Sequence, residues 1–83
     1  MTGDGIEIDA TGLRCPLPVI RLEAALRRAA PGQTVLIRTD DPIAKLDVPH
    51  AAVSRGHACD LLDEAGGVCV FAVTCGAQNA ALG

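Results

Sequence analysis

Eighty-three residues with ten acidic and seven basic side chains, a formal charge of −3 and 49% apolar content describe one small domain, 1–83, with a modest core. The single aromatic, Phe71, and the acidic balance argue against direct nucleic-acid binding, which relies on stacked aromatics and a basic surface. No stretch reaches the roughly 18 apolar residues of a membrane span, and Met1–Gly5 lacks both parts of a secretion signal, so a cytoplasmic location is expected.

Ile6 and Ile8 alternate with Glu7 and Asp9 and predict a short, half-buried first strand, with Ala10–Arg14 as its exit. Arg14-Cys15-Pro16-Leu17-Pro18 then opens a helix. Pro16 suits the first helical position, where a missing N–H costs little, and Cys15 falls at or next to the N-cap. An anion is favoured at such a place, so a thiolate there, with Arg14 alongside, is expected to form more readily than in free cysteine. The other reading makes Cys15 a buried small apolar residue. Pro18 occupies the place of a resolving thiol and excludes Cys-x-x-Cys redox chemistry.

From Val19, the residues Leu22, Ala25, Leu26 and Ala29 recur at helical spacing, with Arg21 and Arg28 on the opposite side. That basic face is either a partner-docking surface, with Arg14, or a solvated face with Glu23 paired to Arg27. Pro31-Gly32 stops the helix, and Thr34–Thr39 reads as a buried second strand ended by Asp40-Asp41-Pro42. Because Pro49 is costly deep inside a helix, the second helix is expected to start at Asp47, as its cap, and to end at Gly56, with Ile43–Leu46 as a turn. Cys59–Asp63 and Val68–Thr74 form a hairpin around Glu64–Gly67, and residues 1–4 and 76–83 are expected to fray.

The order βαβαββ predicts an α/β two-layer sandwich: a mixed four-stranded sheet with both helices on one face and the other face open to partners. If the first two strands are parallel neighbours, Arg14-Cys15 and Asp40-Asp41 come together at one sheet end. The two aspartates there either cap the following turn or take part in chemistry at the sulfur. His50 and His57 read as surface or cap residues, and Cys59, Cys69 and Cys75 as core or sheet-face residues, without the spacing of a metal site.

Cys15-Pro16-Leu17-Pro18 between a strand and a helix, followed by a second strand and Thr39-Asp40-Asp41-Pro42, resembles the TusA/SirA sulfur-carrier family from Ile6 to about Cys75. The resemblance implies a sulfurtransferase in the sense of a carrier. It would take sulfane sulfur as a persulfide on Cys15, with Arg14, Pro16, Pro18, Asp40 and Asp41 in support, and pass it on. Its implied partners are a cysteine desulfurase or another sulfur-donor protein and a downstream acceptor, in relays such as tRNA thiolation, molybdenum-cofactor assembly or sulfur oxidation. No cofactor beyond the covalently carried sulfur is implied. The alternative is a non-catalytic regulatory or interaction module in which Cys15 is structural.

Overall fold

The computed structural model describes residues 5–76. Of the two ends expected to fray, 1–4 and 77–83 lie outside the described residues, while Gly76 is held by a bond from its N–H to His57 Nδ1 at 2.9 Å.

The elements are β1 (Gly5–Asp9), α1 (Leu17–Arg28), β2 (Thr34–Thr39), α2 (Pro42–Ser54), β3 (Ala58–Ala65) and β4 (Val68–Thr74). The sheet runs β1-β2-β4-β3, with β1 parallel to β2 and β4 antiparallel to both its neighbours. Strand alternation sends Val35, Ile37 and Thr39 of β2 inward opposite Val73, Phe71 and Cys69 of β4, and Ile6 and Ile8 pair with Val35 and Ile37. Leu22 and Leu26 of α1 and Ala44, Val48 and Ala52 of α2 close this core. The helices pack against each other on one face of the sheet, and Glu7, Leu36, Arg38 and Val70 line a cleft of about 270 Å³ on the other side.

The hairpin is tighter than expected. Glu64 and Ala65 still pair with Cys69 and Val68, and Gly66 and Gly67, with φ of 60° and 81°, make the whole turn. Positive φ at both central positions is the signature of a type I′ turn, whose twist matches that of the strands it joins. A register shift between Leu61 and Asp63 leaves Leu62 out of the pairing, as a bulge in an edge strand.

The second helix starts six residues earlier than expected, counted cap to cap. Asp41, not Asp47, is its cap: Ile43 N–H donates to Asp41 Oδ1 at 3.2 Å, and Pro42 takes a first-turn position. Pro49 therefore lies inside the helix, at a cost of about 3 kcal/mol in an isolated helix interior. Burial of Ala44, Val48 and Ala52 on one stripe offsets that cost. Pro16 likewise stands one place earlier than expected, as the cap of α1, with Leu17 and Pro18 opening the helix.

His57 caps the end of α2 through its backbone, its N–H donating to Ala52 O at 2.9 Å beyond the left-handed Gly56, but it is not a surface residue. It is buried, and because Nδ1 accepts the Gly76 N–H the ring is neutral with its proton on Nε2. Burial, and then the Arg55 charge, hold its pKa below the ordinary 6.5. The unfolded chain thus takes up a proton that the folded chain refuses, so this contribution is complete above 6.5 and declines as pH falls below it. His57→Asn keeps an acceptor near the Gly76 N–H and removes the titration. Urea unfolding of this variant should show a flatter loss of stability than wild type between about pH 7 and pH 5.

Candidate active site

The parallel pairing of β1 and β2 brings the two following loops to the same end of the sheet, as the topology requires. In the first loop the Asp9 carboxylate accepts from Thr11 N and Oγ1 at 3.1 and 2.6 Å, and Gly12 turns with φ of 84°. Gly12 N–H then donates to Asp40 Oδ1 at 2.9 Å, and Cys15 N–H to Asp41 Oδ2 at 2.6 Å. Asp41 is buried, and its own N–H donates to Thr39 Oγ1 at 3.4 Å. One carboxylate thus caps α2 through Oδ1 and holds the backbone of Cys15 through Oδ2. The capping role is the one the structure displays for Asp41, while Asp40 pins the glycine of the Cys15 loop.

Cys15 is half-buried, and its peptide bond to Pro16 is cis. Its thiol donates to Asp47 Oδ2 at 2.8 Å. Sequence reading missed Asp47: with the second helix begun there, its carboxylate was assigned to capping, whereas in a helix begun at Pro42 it is free to meet the sulfur. The expected easy thiolate is corrected as well. The hydrogen bond to Asp47 pushes the Cys15 pKa up, and burial and the negative charges of Asp47 and Asp41 push the same way. The end of α1 offers few donors in compensation, since Leu17 N–H turns back to Arg14 O at 2.8 Å and Pro18 has none. The positive helix end is therefore outweighed by two carboxylates supplied from β2–α2.

Arg14, the residue before Cys15, is exposed. Arg21 and Arg28 are exposed too, and they line a cleft with Ile6 to Asp9 of β1 rather than standing around Cys15. The Glu23–Arg27 pair expected along α1 does not form. Glu23 Oε2 accepts instead from Arg55 Nε at 2.7 Å, just beyond α2. The surroundings of Cys15 are apolar in part: Leu17, Ile20, Ile43 and Leu46 are all exposed at the starts of the two helices, Leu46 by 72%.

The other three cysteines are free thiols of a different kind. Cys69 and Cys75 are buried, Cys59 is half-buried, and burial raises the pKa of both Cys59 and Cys69. Cys75 faces the carbonyls of Leu26 and Ala29 at 3.9 and 3.7 Å, in the wall of a cleft of about 540 Å³ that also includes His57 and Arg55 but not Cys15. His50 is exposed on α2. Among the described residues no three His, Cys, Asp or Glu side chains stand close enough to hold a metal ion.

A βαβαββ sandwich that holds a half-buried, hydrogen-bonded thiol between two helix starts defines a small α/β protein with a cysteine-centred site. The chain belongs to the TusA sulfurtransferase family: the family model described as Sulfurtransferase TusA matches residues 6–74. It is also similar to the crystal structure of a SirA-like protein from Desulfitobacterium hafniense, at 32% identity and a TM-score of 0.76, over 86% of this chain and 97% of that one. The four-stranded mixed sheet with two helices is shared with that structure. No helix among the described residues is long and apolar enough to cross a membrane.

Asp41→Ala should lower unfolding free energy by about 2–3 kcal/mol, because it removes a helix cap and strands the Cys15 N–H in a partly buried loop. Asp40→Ala, which loses one exposed bond, should cost less than about 1 kcal/mol. Chemical denaturation of both variants at neutral pH measures the difference.

Proposed function

We propose that this protein is a cytoplasmic sulfur carrier that accepts sulfane sulfur as a persulfide on Cys15 and delivers it to an acceptor protein. The observation that carries this reading is the placement of Cys15. Its backbone is anchored by Asp41 and its sulfur by Asp47, on a half-exposed loop, while Cys69 and Cys75 are enclosed in the core. A residue serving only to fill the interior would sit with those two. Exchange of a sulfane sulfur between thiols needs an accessible sulfur and a docked partner, and no triad or metal.

Family membership supports the same chemistry and implies partners in a sulfur relay. The donor is a cysteine desulfurase or another persulfide-bearing protein, and the acceptor serves a pathway such as tRNA thiolation, molybdenum-cofactor assembly or sulfur oxidation. Leu17, Ile20, Ile43 and Leu46 give such partners apolar ground beside the thiol. Specificity then resides in protein contacts. Arg14, adjacent to Cys15 in the chain and exposed, is the basic residue nearest to it in sequence; Arg21 and Arg28 lie to the β1 side.

Incubation with a cysteine desulfurase and cysteine should add the mass of one sulfur to the Cys15 peptide of the wild type. Cys15→Ser should show no such addition at Cys15, with its unfolding free energy within about 1 kcal/mol of wild type. Sulfur recovered only on Cys59, Cys69 or Cys75, or none at all, would overturn the assignment.

A further inference from the structure

The contacts of Cys15 suit only one protonation state. Its N–H donates to the Asp41 carboxylate, and its S–H donates to Asp47 Oδ2 at 2.8 Å. The carboxylates of Asp41 and Asp47 are the charges that bear on the sulfur, and both are negative. Asp47 is half-buried and sits within a continuous helix, Pro42–Ser54, so its backbone is fixed and retreat of the carboxylate requires a side-chain rotation. The empty carrier is therefore a neutral thiol in a hydrogen bond that an anion cannot make.

Loading changes that state. Transfer breaks the S–S bond of the donor persulfide anion and forms a bond from Cys15 Sγ to its terminal sulfur. The Cys15 proton ends on the donor's remaining sulfur. The products are a Cys15 persulfide anion and a donor thiol, with no net oxidation. A hydropersulfide is a stronger acid than the thiol from which it is made, so the loaded form is negative at neutral pH. It has lost the proton that Asp47 accepted, and it now faces two carboxylates.

We infer that Asp47 sets the sulfur-loading equilibrium of Cys15, stabilising the empty thiol and opposing the persulfide anion, so that the protein holds sulfur weakly and surrenders it readily. The inference rests on the sulfur-carrier reading and adds a role for a residue 32 positions from the cysteine. A site built to retain sulfur would surround the anion with donors; this one presents acceptors. A weak hold suits a relay, because sulfur that binds too well at one station does not move to the next.

The test equilibrates the full chain with glutathione persulfide and excess glutathione at neutral pH under anaerobic conditions. The loaded-to-empty ratio is read on the Cys15 peptide by mass spectrometry. Asp47→Asn should raise that ratio by about tenfold. In the empty protein it should also speed alkylation of Cys15 by iodoacetamide, because more thiolate is present. Asp63→Asn removes the same charge from β3 and should change either quantity by less than about twofold. Asp47→Ser, which also lacks the charge, should repeat the result, and unfolding curves identify which of the two position-47 variants is folded and read. Equal ratios in wild type and the folded variant overturn the role of Asp47 and leave the carrier reading standing. Absence of sulfur from Cys15 in every protein overturns the carrier reading, and this inference with it.

Discussion

The Asp41 carboxylate joins two helix starts that are far apart in sequence, and the geometry of the site follows from it. One oxygen satisfies an N–H at the start of α2 and the other takes the N–H of Cys15. Each bond alone is an ordinary cap or loop contact. Shared on one buried side chain, they fix the distance between the loop after β1 and the helix after β2. The parallel pairing of β1 and β2 brings these segments to the same edge, and Thr39, Gly12 and Asp40 complete the lacing. With Asp41 as the cap, α2 runs from Pro42 and carries Asp47 to the sulfur.

This arrangement changes the expected electrostatics of the thiol. Local sequence places Cys15 at the positive end of a helix, next to an arginine, which favours an anion. The folded chain turns the sulfur toward α2 and its carboxylates, and proline leaves the first turn of α1 short of donors. The result is a protonated sulfur, held in place by its own proton. Reactive cysteines that work alone gain from a stable thiolate. Here the sulfur is instead a thiol, oriented by its bond to Asp47, and as a thiol it is less reactive toward stray electrophiles.

Much of this fold is written locally. The apolar spacing from Val19 to Ala29 defines α1, and β2 and β4 begin and end where β-branched runs do. The Arg14-Cys15 and Asp40-Asp41 loops meet as parallel topology demands. The second helix was less legible because its apolar residues are not confined to one face: Ile43, Leu46 and Val53 are exposed while Ala44, Val48 and Ala52 are buried, so the segment carries little helical period. Asp41-Pro42 was nevertheless a legible start signal, outweighed in the reading by Pro49. The Asp47–Cys15 contact and the burial of His57 had no local sign, since both depend on how distant segments pack. The same is true of Glu23, whose partner Arg55 lies on another element rather than one turn away.

The bulge in β3 bears on how the protein behaves in a crowd. β3 lies at the edge of the sheet, and an edge presents unpaired backbone groups that a second chain can extend. Here the strand is interrupted at Leu62, Asp60, Asp63 and Glu64 line it, and Glu64 is engaged by Lys45 of α2. A copy of the same chain laid along this edge would bring the same carboxylates against their own kind. A small protein that meets several partners in turn gains from an edge that discourages self-pairing, because each molecule withdrawn into a ribbon of its own kind is one fewer free to travel between donor and acceptor.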